Sequence, residues 1–229
     1  MPAYSEFTGT LSEKKYISDD VMYLSFEVEN SFSFQAGQYV MLKIFNSADF
    51  RWKAYSILNP PSEKGKIDLC ATIILGGFAS EAFKRIIPGE KLGFRGPLGH
   101  FIFSPEGKEH WFICVGTGIT PFYSMITEHL SQFSQKKFNL IFGEKTKQDL
   151  LFYDEFMKLE QKHKNFIYLP TLTQDSWKGK VGRVQQHLPS DLLNKTFYIC
   201  GLKEMVLETK ELLLSKGVPL ENIKWERYT

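Results

Sequence analysis

The chain has 229 residues, enough for one large domain or two small ones with a real core. Its 43% hydrophobic and 24% charged residues are ordinary for a globular protein, and 28 basic against 26 acidic side chains leave a net charge of +2. That balance gives no reason to expect nucleic acid or a membrane surface as a partner.

The first residues, MPAYSEFTGTLSEKKY, lack a basic-then-apolar leader pattern, and the longest apolar stretches, such as residues 111–115, are too short to span a bilayer. The expectation is a soluble cytoplasmic protein with no membrane insertion. Cys70, Cys114 and Cys200 are widely spaced, with no C-x-x-C pair. A disulfide framework, a zinc site or an internal iron–sulfur cluster is therefore not expected, and no metal ligand set is assigned.

Residues 7–103 read as short strands separated by turns. Residues 21–28 (VMYLSFEV) and 37–44 (GQYVMLKI) alternate, and 67–74 and 91–95 are shorter candidates. Asn59-Pro60-Pro61, Gly65 and Pro88-Gly89 punctuate them. Short strands at near-regular spacing predict an antiparallel Greek-key barrel. Ser80 before the run EAFKRI predicts one short helix over residues 80–86, with Ser80 as its N-cap.

Beyond Pro105 the rhythm changes. Strands are expected at residues 111–115, 138–142, 166–172 and 196–200, with a last edge strand at 223–228. Helices are expected at 121–133, 151–163, 184–188 and 204–216. Strands alternating with helices predict a parallel, Rossmann-like α/β sheet. The polar stretch Glu106-Gly107-Lys108 suggests a boundary, with domains at 1–105 and 106–229.

Gly116-Thr117-Gly118-Ile119-Thr120-Pro121 follows the strand HWFICV directly and opens a helix. A doubly wound sheet binds dinucleotides there: glycines admit a pyrophosphate, and the helix end offers unpaired N–H groups. A plain strand-to-helix turn has the same pattern. Lys53-Ala54-Tyr55-Ser56 ends a strand with a cation, an aromatic and a hydroxyl, a set that suits one planar anionic ligand or, equally, an exposed Lys beside a core Tyr. Gly76-Gly77-Phe78-Ala79-Ser80 offers either a second anion cradle or an ordinary loop into a capped helix.

Taken in order, these stretches resemble the ferredoxin–NADP reductase superfamily over nearly the whole chain. Gly37-Gln38-Tyr39 resembles its P-G-Q-Y strand, Lys53-Ala54-Tyr55-Ser56 its R-x-Y-S flavin motif, and Gly77-Phe78-Ala79-Ser80 its G-x-x-S phosphate motif. Gly96-Pro97-Leu98-Gly99-His100-Phe101 resembles G-P-x-G-x-F. Gly116 to Pro121 resembles G-T-G-I-x-P, and Phe142 to Phe152 resembles Y-G-x-R-T-x-x-D-L-L. Trp177 to Val184 resembles W-x-G-x-x-G-R-V, and Cys200 to Met205 resembles C-G-x-x-x-M.

The resemblance implies a cluster-free flavoprotein reductase moving hydride between NADH or NADPH and bound FAD, with FMN as the alternative flavin. Electrons would then pass to an external carrier: ferredoxin, flavodoxin, a cytochrome or an oxygenase component. A flavin reductase that releases reduced flavin, or a non-catalytic flavin- and nucleotide-binding subunit, are the alternatives. The resemblance puts Arg51, Lys53, Ala54, Tyr55 and Ser56 with Gly76, Gly77, Phe78, Ala79 and Ser80 around the flavin. Tyr55 would pack on its ring, Ser56 would hydrogen-bond near N5, and Lys53 would face the pyrophosphate. Gly116, Thr117, Gly118, Pro121, Lys145, Cys200, Gly201 and Met205 would meet the nicotinamide dinucleotide, with Cys200 beside its ring. Tyr228 would either cover the flavin or simply pack.

Two departures stand out. Lys53 replaces the family's arginine, and Arg51 shares its strand face. The stretch Thr171-Leu172-Thr173-Gln174-Asp175 lacks the serine–arginine pair of NADPH-preferring members, which leans toward NADH, with Lys145 partly compensating. Glu226-Arg227-Tyr228 resembles bacterial NADP-linked members and leans the other way.

Overall fold

A computed structural model describes residues 4–46 and 49–228. The chain divides into two compact units: Met1–Phe103 with Tyr123–Glu128, and Ser104–Phe122 with His129–Thr229.

The first unit is a six-stranded sheet of β1 (Ser5–Tyr16), β2 (Val21–Glu27), β3 (Tyr39–Asn46), β4 (Asp49–Ser56), β5 (Lys66–Thr72) and β6 (Lys91–Leu98), with helix α1 (Phe78–Arg85) between the last two. The order is β4-β3-β6-β1-β2-β5, and all neighbours are antiparallel. Alternation aims one row of each strand inward. Leu24 and Phe26, Val40, Leu42 and Ile44, Ile67 and Leu69, and Phe94 meet Phe83 of α1 in one core. Past β4 the Leu58 N–H donates to Asp68 O at 2.8 Å, and the Asp68 N–H donates to Asn59 Oδ1 at 2.9 Å. These bonds bring the end of edge strand β4 to edge strand β5 and curl the sheet toward a barrel.

The second unit is a parallel sheet of β7 (Glu109–Val115), β8 (Lys137–Glu144), β9 (Phe166–Leu172), the short β10 (Lys180–Val181), β11 (Thr196–Leu202) and β12 (Ile223–Tyr228), in the order β10-β9-β8-β7-β11-β12. Helices α2 (Ile119–His129), α3 (Tyr153–Lys162) and α4 (Lys203–Ser215) connect them. The middle strands are buried along most of their length, so they read as continuous apolar runs such as residues 111–114 and 140–142. Strand order reverses between β7 and β11, so the carboxyl ends of those two strands flank the switch point.

The expected helix at 121–133 starts two residues earlier and ends at His129. A 3₁₀ turn at Gly116–Gly118 feeds straight into it, and Pro121 sits in the first helical turn, where its missing N–H has no acceptor to lose. The expected helix at 184–188 is a single 3₁₀ turn, Val184–His187.

Candidate functional site

Each unit carries one cluster of the expected residues. In the first unit, Arg51, Lys53 and Tyr55 on β4 lie opposite Ile44, Leu42 and Val40 on β3. Those partners are buried, so the β4 row continues the core-facing side of the sheet to its outer edge. Helix α1 borders that row. The Tyr55 ring meets Phe83 edge-on at 5.7 Å between centroids, and the Arg51 guanidinium lies over the Phe78 ring at 4.3 Å. Burial pushes the Tyr55 phenol up, so it stays neutral. Lys53 is exposed. Ala54, exposed, and Ser56, buried, alternate onto the other row, opposite Met41 and Tyr39.

Ser80 is not the N-cap of α1. The helix begins at Phe78 with Gly77 as its cap, and Ser80 lies in the first turn. Its Oγ accepts the Ile74 N–H at 2.8 Å, closing the preceding turn rather than capping the helix. The Gly77 N–H donates to Ile74 O at 2.9 Å, so that amide is engaged as well. A methyl on Gly77 would sit 3.0 Å from both Ile74 O and Ser80 Oγ, whereas Gly76 has left-handed φ of +70° and open space. The first-turn amides of Phe78, Ala79 and Ser80 have no intrahelical acceptor and carry the positive end of the helix dipole. At the other end of α1, Lys14 Nζ donates to the carbonyls of Phe83 (3.0 Å), Lys84 (3.1 Å) and Ile86 (2.6 Å). Two cationic side chains and three amides around a strand edge with a neutral aromatic fit a pyrophosphate attached to a planar ring, which is the shape of FAD.

In the second unit the cluster lies at the switch point. Gly116 has φ of +58°, and its N–H donates to Glu144 Oε1 at 2.6 Å. Gly118 packs on β11: a methyl there would overlap the Cys200 carbonyl and lie 2.7 Å from Gly201 Cα. Gly201, at φ of +138°, would place a methyl 2.7 Å from Val115 O. Main chain therefore meets main chain across the ends of β7 and β11. Thr117 and Pro121 sit in the same turn and the helix that follows it.

Cys200 is fully buried, and burial pushes its thiol well above the usual range, so it is a neutral S–H. The nearby Glu226 charge acts in the same direction, while a hydrogen bond with the Tyr228 side chain opposes it. Strand β12 brings these residues close, since Glu226 is in register with Cys200 and Tyr228 with Leu202. Met205 is in the core at 9% exposure, against Gly201. Lys145 is exposed at the end of β8, and its carbonyl accepts the Gln174 N–H at 2.9 Å. The sequence reading passed over Glu144, although an acid closing the second strand of a βαβ pattern is a recognisable signal, and over Lys14, for which no local signal exists. All three cysteines are buried and lie outside any disulfide, and no helix among the described residues is long and apolar enough to cross a membrane.

Residues 8–103 match the family described as oxidoreductase FAD-binding domain, and residues 112–211 match the oxidoreductase NAD-binding domain. The chain is 32% identical to ferredoxin–NADP reductase B of Sorangium cellulosum, over 97% of each chain. It is 28% identical to the reductase component DmpP of a Pseudomonas phenol 2-monooxygenase, over 97% of this chain, and spans 65% of that protein's length. Among solved structures, a ferredoxin NADP⁺ reductase from Neisseria gonorrhoeae with bound FAD and NADP superposes with a TM-score of 0.86 at 23% identity, over 99% of each chain.

Proposed function

The chain belongs to the ferredoxin–NADP reductase family and is an NAD(P)H-dependent flavoprotein reductase, and from that premise we propose which residues hold each cofactor and where the electrons go. Residues 1–105 form the flavin domain and 106–229 the nicotinamide domain. Bound FAD supplies a ring system that accepts a hydride and releases its electrons singly.

The protein's contribution is positioning. Arg51 and Lys53 neutralise the flavin pyrophosphate, and the amides of Phe78, Ala79 and Ser80 donate to it. Tyr55 packs against the flavin ring through a phenol that burial keeps neutral. Ser56, next in the chain but on the other row, donates near the flavin N5. On the nicotinamide side, Gly116, Thr117, Gly118, Pro121, Lys145 and Gly201 receive the dinucleotide. The neutral Cys200 thiol lies beside the nicotinamide ring and orients its C4, with Tyr228 steadying the thiol.

One observation carries this reading: Gly118 lies against the main chain of Cys200 and Gly201 at the switch point. A side chain at either glycine would strike the main chain of the facing strand, so both positions must be glycine for the ends of β7 and β11 to close on each other at the point where a doubly wound sheet receives a dinucleotide. The acceptor is an external one-electron carrier such as ferredoxin, flavodoxin, a cytochrome or an oxygenase component. This agrees with relatives named as a ferredoxin–NADP reductase and as a monooxygenase reductase component.

The test is an anaerobic absorption titration of the purified protein. A yellow protein that bleaches on adding NADH or NADPH, and that yields FAD on acid release, is expected. Bound flavin that neither coenzyme bleaches would sink the reading. Free flavin consumed as a substrate, with none retained on purification, would favour a flavin reductase instead.

A further inference from the structure

Glu144 is the last residue of β8, the strand beside β7, so it stands on the carboxyl edge of the sheet next to the glycine turn. Its backbone is held from the loop after β9. The Thr173 N–H donates to Glu144 O at 3.0 Å, and Thr173 Oγ1 donates to the same oxygen at 3.3 Å. From that fixed point the side chain reaches across to β7 and accepts the Gly116 N–H at 2.6 Å. A carboxylate is thus held against the first amide of the turn that faces the coenzyme. Beside Gly116 there is open space, since a methyl group there would meet no atom within 4 Å.

A carboxylate accepts several hydrogen bonds, so one bond to Gly116 does not exhaust it. The uncharged donors of a nicotinamide dinucleotide nearest a glycine turn are ribose hydroxyls. In doubly wound sheets, an acid at the end of the second strand accepts from the ribose 2′-OH. A 2′-phosphate in its place brings a charge of about −1.5 to −2 toward the carboxylate. A second carboxylate lies on the adjoining loop: Asp175 is half-buried, with Oδ2 accepting the Lys147 N–H at 2.8 Å. The cations there are lysines, not arginines. Lys147 Nζ lies 5.3 Å over the Tyr153 ring, Lys145 is exposed, and residues 143–149 and 172–175 contain no arginine to grip a phosphate bidentately.

We propose that Glu144 makes this reductase select NADH over NADPH, by accepting a ribose hydroxyl and repelling a 2′-phosphate. The proposal rests on the reading of the glycine turn as the coenzyme site. It departs from the coenzyme in the name of the 32%-identical relative. Discrimination by repulsion as well as attraction is an ordinary route to specificity.

The test compares the flavin-loaded full chain with Glu144→Gln and Glu144→Asp. Gln keeps the size and still accepts the Gly116 N–H, so it spares the turn and removes only the charge. Calorimetric binding of ADP against 2′,5′-ADP is measured beside anaerobic flavin reduction by NADH against NADPH. The wild type should favour ADP and NADH by about tenfold or more, and Gln should cut that ratio about tenfold, with 2′,5′-ADP binding tighter than before. Asp, which keeps the charge, should retain part of the preference. A wild type that favours NADPH, or a Gln variant that weakens both ligands equally, overturns the proposal. If neither coenzyme bleaches the flavin, the reductase reading fails on its own, and the ADP to 2′,5′-ADP ratio still decides the role of Glu144.

Discussion

In the first unit the residues proposed to hold the flavin are positioned by side chains. Arg51 stacks on Phe78, Tyr55 meets Phe83 edge-on, Ser80 closes the turn at Ile74, and Lys14 holds the far end of α1 through three carbonyls. In the second unit the corresponding parts are positioned mainly by main chain, with the Glu144 side chain holding the Gly116 amide. Gly118 and Gly201 bring β7 and β11 into backbone contact, on a sheet whose middle strands are buried. A site strapped by side chains can be loosened by degrees, because each strap contributes about 0.5–1.5 kcal/mol. A site defined by backbone contact has no room for even a methyl group. The two halves should therefore fail in different ways.

The sharpest break is Gly118→Ala. The added methyl overlaps the Cys200 carbonyl, so β7 and β11 must move apart at their carboxyl ends. Coenzyme-driven flavin reduction should fall at least about 100-fold, and stability should fall by about 3 kcal/mol, the upper range for overpacking. Flavin content should stay near that of the wild type. Stopped-flow reduction, thermal unfolding and the flavin-to-protein absorbance ratio read these three quantities. Gly116→Ala is the control for stability alone. It has open space around it, so its cost is the left-handed φ of +58°, about 1 kcal/mol.

Acid should separate the halves next. His110, near the opposite end of β7 from the glycine turn, is buried against Phe138 and Tyr198. Burial, helped by the Lys136 charge, lowers its pKa from 6.5 to about 4. The folded ring is then neutral where the unfolded ring takes a proton. The stability that comes from keeping it neutral is full above pH 6.5 and is lost as pH falls from 6.5 toward 4. At about 1.36 kcal/mol per unit, the ceiling of that loss is about 3 kcal/mol. In the first unit, the buried acid Asp68 is paired with Lys66 Nζ at 2.9 Å and accepts from Ser25 Oγ at 2.7 Å. The acid limb of the stability curve should thus flatten in His110→Phe. Thermal unfolding of both proteins from pH 4 to 7 would show it, and an unchanged limb would assign the acid loss elsewhere.

The same contrast explains which parts of the fold are legible in the residues. The expected bounds 166–172 and 223–228 match β9 and β12 to the residue although both strands are partly exposed, at Ile167 and at Trp225 and Arg227, and the unbroken apolar run of a strand buried on both faces belongs to central β7, at residues 111–115. The glycine turn is legible because close backbone approach demands particular residues in consecutive positions. Strand β1 is less so: of its twelve residues only Gly9 and Leu11 are buried, and its charged end carries no alternation. At the start of α1, Ser80 before EAFKRI satisfies the local rule for an N-cap, but the turn at Ile74 claims its hydroxyl. Lys14 lies 69 to 72 positions from the carbonyls it holds, and Glu144 lies 28 positions from Gly116. The Lys14 strap leaves no local pattern, whereas Glu144 is marked by its place at the end of the second parallel strand, so the half strapped by side chains is the harder to read.

A graded loss is expected at Lys14. Lys14→Met removes three charge-assisted bonds from the last turn of α1 and leaves those carbonyls to water. The helix has only eight residues, so freeing one end lets the other move. FAD affinity should weaken about tenfold, read by the recovery of flavin fluorescence on dilution, while ADP binding to the second unit stays unchanged. Lys14→Arg should restore part of the affinity. A Met variant with wild-type FAD affinity would show that α1 is held by Phe83 and Phe78 alone.

The smallest effect tests whether the side-chain half has been pushed to its limit. Lys53 stands on the same row as Arg51 and Tyr55, one alternation from each, and it is exposed. Its ammonium is a point charge on a flexible stem, whereas a guanidinium offers a planar fork suited to two phosphate oxygens at once. Arg51 already has such a fork, but its plane is laid over Phe78 at 4.3 Å, which limits how it can turn toward a phosphate. Lys53→Arg should therefore add a directed pair of bonds and tighten FAD about threefold, a gain of under 1 kcal/mol at an exposed position. The gain should appear as a slower release of flavin, with no change in the NADH to NADPH ratio, because that ratio belongs to the other unit. A looser flavin in the Arg variant would mean that the space beside Arg51 admits an ammonium but no second guanidinium. The lysine would then be fitted to this edge, and the strapped half would be as intolerant of change at that point as the glycine turn.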